Sequence, residues 1–256
     1  EAGRDLEGEF QEGIASMDAA YWARRAKAKQ DKRDAELYAQ KDKSEEKNEA
    51  AGITSPKGVV GSSVGHRQKV EDDATPGKGS NDLDVIAANF RKEGYLVYEF
   101  ESDSMGKAFD FSEVSESGVR IVADAVEEAT NNGSLSVDIV GYSRGGGGAV
   151  EVANTLESEG YNVGKVAYLD GKASAGSNTL LFEPSDISVR VYRPQYWTPV
   201  QMLAPMVGLH GSIFQMANSK MARMGTWGSY PTTHGGLDQY GRGALGDVEN
   251  WLLGGP

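Results

Sequence analysis

Apolar residues in the second half of this chain recur with two periods that alternate along the sequence. From residue 80 onward, short runs rich in Val, Ile and Tyr are followed by longer segments in which apolar positions recur every three to four residues. The first pattern is typical of buried strands and the second of helices that bury one face. Strands are predicted at 95–100, 136–140, 163–169 and 187–192. Helices are predicted from Ser80 or Asn81 to Gly94, from Gly118 to Thr130, between the glycines at 145–148 and Gly160, and around Leu245–Leu252.

This alternation of strands with helices indicates one fold class. Parallel neighbours in a sheet need a crossover, usually a helix, and these crossovers are right-handed. The chain is therefore predicted to be an α/β protein with a mostly parallel sheet and helices on both faces. Ligands bind such sheets at the carboxyl ends of the strands, so side chains at those ends are the first candidates for a site.

The first 80 residues carry weaker patterns. Much of the beginning is an Ala-rich run in which charges of both signs interleave. This composition predicts a charged helical arm over residues 1–50 that is mostly solvated. Any docking of this arm on the rest of the chain is expected near its start. Residues 51–80 are rich in Gly, Ser, Pro and Asp and are predicted to be loop with one short strand near 58–60. The main domain is accordingly assigned to residues 51–256.

The clearest chemical motif lies where one predicted strand ends and a helix begins. Gly141–Gly145 reads Gly-Tyr-Ser-Arg-Gly, which matches the Gly-x-Ser-x-Gly nucleophile elbow. That elbow holds its serine on a strained turn, and side chains two residues to either side would collide across it. Glycine is frequent here, with 33 residues, and Gly61–Gly65 matches the same pattern. Because no helical period follows that second match, Ser143 is the candidate nucleophile.

A serine nucleophile needs a base that takes its proton and an acid that orients the base. The chain has three histidines. His66 precedes the clear alternation, His210 lies in an apolar stretch, and His234 lies in a loop just before the last helix. Catalytic residues are concentrated on loops, which favours His234 as the base and leaves His210 as the alternative.

The rule about strand ends also selects the acid. Asp170 directly follows the strand at 163–169 and so belongs to the carboxyl edge of the sheet. Asp186 precedes the next strand and belongs to the opposite edge. Asp170 is therefore the candidate acid, and Asp238 is held in reserve.

An oxyanion formed during acyl transfer needs backbone donors. The N–H of Arg144, the residue after the nucleophile, is the first candidate. The second is expected from an earlier loop, and two glycine-rich stretches qualify, 61–65 and 76–80. The sequence does not choose between them.

Composition and charge narrow the range of partners. A net charge of −12 argues against a nucleic-acid binder, whose affinity needs a basic face. An anionic membrane surface should also repel the chain, except for transient contact through an apolar patch. Without cysteine there is no disulfide framework and no thiolate metal site. No apolar run is long enough for a transmembrane helix. The chain begins with Glu and shows no signal peptide, so we expect a processed product or the C-terminal piece of a longer protein.

Together these features resemble the α/β-hydrolase superfamily, most closely its lipase- and esterase-like bacterial branch with a Gly-aromatic-Ser-Arg-Gly elbow. The resemblance covers roughly residues 75–255 and rests on the elbow, on Asp170 after the next strand, and on Thr233-His234-Gly235 before the last helix. The order Ser, Asp, His is the order of that superfamily. The resemblance implies a serine hydrolase that cleaves lipid or other acyl esters through an acyl-enzyme without a cofactor.

One apolar segment allows two interpretations. Residues 196–227 hold five of the seven methionines. They form either a cap or lid over an acyl-binding site or a part of the core behind the sheet. The alternative function for the whole chain is a non-catalytic module of the same fold, which binds a partner through this segment and the N-terminal arm.

Overall fold

A computed structural model describes residues 6–65, 68–71, 75–77, 82–106, 115–131, 133–171, 188–196, 226–241 and 243–255, with side chains from residue 18 onward except at 226 and 227. The helices are α1 (Leu6–Ala50), α2 (Leu83–Lys92), α3 (Ser102–Met105), α4 (Glu116–Ala129), α5 (Arg144–Ser158) and α6 (Leu245–Leu252), with a 3-10 turn at His234–Gly236. The strands are β1 (Val59–Val64), β2 (Leu96–Glu101), β3 (Val137–Tyr142), β4 (Val163–Leu169), β5 (Ser188–Pro194) and β6 (Thr226–Tyr230). None of these helices has the length and apolar character that crossing a membrane requires.

The six strands form one sheet in the order β2-β1-β3-β4-β5-β6, and every neighbouring pair is parallel. Successive side chains of a strand point to opposite faces, so both faces of a central strand need cover. On β3, Ile139 packs among residues of α4 and α5, whereas Val140 packs among residues of α2 and α6. The predicted α/β class, with a parallel sheet and helices on both faces, is confirmed.

Two local predictions are corrected, and the structure adds one strand that the sequence pattern does not predict. The short strand expected near 58–60 is the buried six-residue strand β1, which pairs with both β2 and β3. Its serines interrupt the apolar run, and that concealed its length. The strand β6 lies before His234, where the sequence shows no strand pattern. Helix α2 has Asp82 at its N-cap rather than Ser80 or Asn81, which lie outside the described residues.

Helix α1 covers the edge of the sheet. Its side chains at three positions, each four residues from the next, accept hydrogen bonds of 2.9–3.0 Å from alternate N–H groups of the edge strand β2. The acceptor and donor pairs are Gln40 with Glu101, Ser44 with Glu99, and Asn48 with Val97. The spacing matches because four helical residues rise about 6 Å and two strand residues about 6.6 Å. The helix thus occupies backbone donors that an edge strand otherwise offers to another chain.

Within residues 18–50 of α1, whose side chains the structure describes, the docked part is the second half, the reverse of the expectation. Leu37 is fully buried in the core, and Arg33 donates to the carbonyl of Gly106 at 2.6 Å. Tyr21 and Trp22, in contrast, are half exposed and stack on one another edge to face. Side chains of residues 18–29 are almost all exposed. The sequence misled here because the contacts that dock the helix are polar and give no apolar period.

We expect Asn48→Ala to lower the free energy of unfolding by about 1–3 kcal/mol. The Asn48 carbonyl accepts from both the Val97 N–H and the Arg91 Nε at 3.0 Å, and the substitution leaves these two buried donors without that acceptor. Chemical denaturation of Asn48→Ala and of Asp42→Ala, an exposed position on the same helix, measures the difference. Equal stability of the two variants would contradict a role of Asn48 in holding the sheet edge.

Candidate active site

Ser143 lies on the turn between β3 and α5, as the sequence predicts. Its backbone has φ 54° and ψ −122°, a conformation that residues with a side chain rarely adopt. The Ser143 N–H donates to the Leu169 carbonyl at 2.9 Å, which ties the turn to the end of β4. The strain is thus maintained by the adjacent strand, and the side chain is presented at the carboxyl edge of the sheet.

Close backbone approach explains most of the glycines around Ser143. A Cβ on Gly141 would lie 2.5 Å from the Gly145 carbonyl oxygen, and one on Gly145 would overlap the Ser63 carbonyl. A Cβ on Gly146 would lie 2.7 Å from the Gly171 Cα. At Gly148 the nearest atoms belong to the flexible side chain of Met105, at 3.0 Å. The glycine run therefore allows α5 to start directly against β1 and the residue after Asp170.

We expect Gly145→Ala to lower the free energy of unfolding by about 1–3 kcal/mol, because the new methyl group meets backbone that cannot move aside. Gly246→Ala is the matched control, since that glycine stands in the first turn of α6 with open space around it. There the same substitution should raise stability by up to about 1 kcal/mol. Thermal unfolding of both variants tests the pair. A stable Gly145→Ala protein would show that α5 can shift away from β1.

The structure brings the three predicted chemical groups together. His234 Nε2 lies 2.9 Å from Ser143 Oγ, and His234 Nδ1 lies 2.6 Å from Asp170 Oδ2. Asp170 follows β4 directly, with φ 39°, and its N–H donates to the Tyr192 carbonyl at 2.8 Å. His234 opens the 3-10 turn that follows β6. Ser143 and Asp170 are buried, whereas about a fifth of the His234 side chain is exposed.

The other candidate residues from the sequence that the structure describes lie at positions different from those of the three hydrogen-bonded groups. Ser63, the serine of the second Gly-x-Ser-x-Gly match, lies within β1 and is buried. Asp238 is also buried, and its carboxylate accepts a hydrogen bond from Gln68 Nε2. Burial raises the pKa of Asp238 to about 6, and the Gln68 hydrogen bond and the charge of His234 oppose that rise. His66, His210 and Asp186 lie outside the described residues.

Of the expected oxyanion donors, Arg144 and the stretch at 61–65 adjoin the serine turn, whereas residues 78–80 of the stretch at 76–80 lie outside the described residues. Arg144 is the first residue of α5, where N–H groups have no carbonyl acceptor within the helix. Its guanidinium pairs with Asp103 at 3.3 Å, so the side chain is held away from its own backbone turn. Of the two glycine-rich stretches, the one at 61–65 ends beside the elbow, because Ser63 pairs with Gly141. The Gly65 N–H, however, donates to Gln68 Oε1 at 2.7 Å.

No family model matches the chain, and no curated protein matches it. Among solved structures, it is similar to a carboxylesterase from Mesorhizobium loti, with 15% identity and a TM-score of 0.46 over 80% of this chain and 91% of that one. It is also similar to esterase PE8, with 13% identity and a TM-score of 0.46 over 78% of this chain and 94% of that one. A third similar structure is a hyperthermophilic esterase from Pyrobaculum calidifontis, with 11% identity and a TM-score of 0.43 over 85% of this chain and 90% of that one. Overlaps this loose establish neither a family nor an activity for this chain.

Proposed function

We propose that this chain is a serine-nucleophile ester hydrolase that works through an acyl-enzyme. The proposal rests on the continuous hydrogen-bond chain from Ser143 Oγ through the His234 imidazole to Asp170 Oδ2. A weak alcohol nucleophile becomes reactive when an adjacent base takes its proton, and that base works when a carboxylate fixes its tautomer. The strained serine turn, the buried acid and the partly exposed base fit these three roles.

In the proposed reaction, Ser143 Oγ attacks the acyl carbon while its proton passes to His234 Nε2. Asp170 accepts from Nδ1–H and stabilises the imidazolium, and the Arg144 N–H donates to the oxyanion. The imidazolium then protonates the leaving alcohol, which departs and leaves the acyl group on Ser143. Water then attacks this ester while His234 takes its proton. The imidazolium returns that proton to Ser143 Oγ as the bond to the acyl carbon breaks and the carboxylic acid departs. No cofactor enters any of these steps.

A fluorophosphonate probe tests the nucleophile directly. We expect the probe to label the unmodified protein once per chain and to leave Ser143→Ala unlabelled, while Ser63→Ala, at the second motif, labels normally. The same preparations should hydrolyse short p-nitrophenyl esters, except for Ser143→Ala. Labelling of Ser143→Ala would disprove the assignment. Absence of both labelling and turnover in the unmodified protein would favour the non-catalytic module that binds a partner.

The substrate class is proposed as lipid or other acyl esters. The resemblance to lipase-like hydrolases supports it. The segment 196–227, which is either a cap or lid or a part of the core, lies outside the described residues except at 196, 226 and 227. Acyl esters of increasing chain length and phospholipid vesicles are the substrates to compare. A rise in kcat/KM with chain length would support a lipid substrate, and a preference for acetyl esters would argue for small esters.

A further inference from the structure

Tyr142 connects the strand that carries the serine with the turn that carries the histidine. It is the last residue of β3, directly before Ser143, and only 3% of it is exposed. Its hydroxyl donates to the backbone carbonyl of His234 at 2.6 Å. Its ring stacks on the His234 imidazole with 4.9 Å between centroids and 24° between planes. One side chain therefore contacts both the backbone and the ring of the same histidine.

These two contacts fix different degrees of freedom. The hydrogen bond to the carbonyl holds the backbone of the 3-10 turn, which is built from only three residues. The stacking restricts rotation of the imidazole about its side-chain bonds, and an aromatic face also attracts a cation. Burial raises the pKa of the Tyr142 phenol, so this hydroxyl stays protonated and keeps its role as donor.

The surroundings of Tyr142 are shaped to hold the ring in this place. A Cβ on Gly65 would lie 2.9 Å from the edge of the tyrosine ring, so the chain leaving β1 passes directly beside it. The ring also belongs to the apolar cluster with Leu237, which follows the histidine turn. The ring is thus packed from the sheet side and from the histidine side.

We propose that Tyr142 is a positioning residue that orients His234 between Ser143 and Asp170. The expected effect of Tyr142 on turnover rests on the proposed hydrolase function, whereas its expected effect on the orientation of the imidazole does not. Tyr142 acts through His234 and is not itself a group that reacts. The residue before the nucleophile is thereby assigned a specific task that the Gly-x-Ser-x-Gly pattern leaves open.

The two contacts can be removed in two steps. Tyr142→Phe removes the hydrogen bond and keeps the stacking, and it should lower kcat about threefold to tenfold with KM changed by less than about twofold. Tyr142→Leu removes both and should lower kcat about a hundredfold. Tyr98→Phe is the matched control, because Tyr98 is also a buried strand tyrosine but lies on the edge strand β2. It should leave both constants unchanged.

A spectroscopic readout separates this proposal from the proposed function. The His234 Nδ1–H that bonds to Asp170 should give a downfield proton resonance in the unmodified protein and in Tyr98→Phe. It should broaden or vanish in Tyr142→Leu even when thermal unfolding shows that the variant is folded. An unchanged resonance together with unchanged kcat in both Tyr142 variants would overturn the positioning role. If the unmodified protein shows the resonance but no turnover, and Tyr142→Leu loses the resonance, the positioning role is retained and only the hydrolase function is rejected.

Discussion

Asp170→Asn is expected to lower kcat for ester hydrolysis about 10⁴-fold, whereas Asp238→Asn should lower it by less than about tenfold. Both carboxylates are buried near His234, but only Asp170 is bonded to its Nδ1, at 2.6 Å. An amide at that position favours the imidazole tautomer that cannot accept the serine proton. Asp238 is bonded to Gln68 instead and contributes only its charge.

The comparison of the two variants also tests the choice of acid made from strand ends. Single-turnover and steady-state rates on one p-nitrophenyl ester suffice, with His234→Ala as the reference for complete loss of the base. If Asp238→Asn were the inactive variant and Asp170→Asn nearly normal, the carboxylate roles would have to be exchanged. Circular dichroism of all three proteins shows whether a loss of rate comes from a loss of fold.

Asp84→Asn is expected to raise the free energy of unfolding at pH 8 and to flatten its dependence on pH above about 6. Asp84 on α2 and Glu99 on β2 are both buried, and Glu99 pairs with Arg91 at 2.6 Å and with Lys47 at 3.4 Å. Burial, together with a hydrogen bond to Glu99 and its charge, raises the pKa of Asp84 to about 8. An asparagine can keep the hydrogen bond to Glu99 without titrating.

The direction of this pH dependence follows from the pKa of Asp84 in the unfolded and in the folded chain. In the unfolded chain Asp84 loses its proton near pH 4, whereas in the folded chain it does so near pH 8. The contribution that protonated Asp84 makes to the free energy of unfolding is therefore fully present below about pH 4, and it is lost as the pH rises to about 8. Burial also raises the pKa of Asp138 and of Asp238, each to about 6, so the window between pH 6 and 8 reports Asp84 best.

Urea unfolding at pH 5, 6, 7 and 8 measures this dependence. Asp42→Asn, at an exposed position of α1, is the control and should follow the unmodified protein at every pH. Parallel curves for Asp84→Asn and the unmodified protein between pH 6 and 8 would contradict the raised pKa.

The pattern along the chain was sufficient for the parts of the fold in which local and tertiary preferences agree. The predicted strand at 136–140 and the helix predicted between 145–148 and 160 correspond to Val137–Tyr142 and Arg144–Ser158, because apolar period, glycine and turn coincide there. Asp170 was selected for its place after a strand, and β4 does end at Leu169. The prediction of His234 as the base uses only its place in a loop, because nothing in its sequence neighbours encodes its distance to Ser143.

Other features depended on contacts that leave no local pattern. The strand β1 carries Gly61, Ser62 and Ser63, and only its pairing with strands on both sides makes it a strand. The docking of α1 uses polar side chains on backbone donors of β2, which no apolar period reveals. The contact between Tyr142 and His234 joins residues 92 positions apart.

The sequence by itself determined the α/β class, the strained serine turn and the order of the three chemical groups, because each follows from local periodicity, glycine sterics or position relative to a strand. Only the tertiary structure decided which carboxylate meets the histidine, which half of the arm docks, and that Tyr142 holds the imidazole. Those outcomes depend on contacts between residues far apart in the sequence, at the carboxyl ends of the strands for the histidine and along the edge of β2 for the arm. Local periodicity does not encode such contacts.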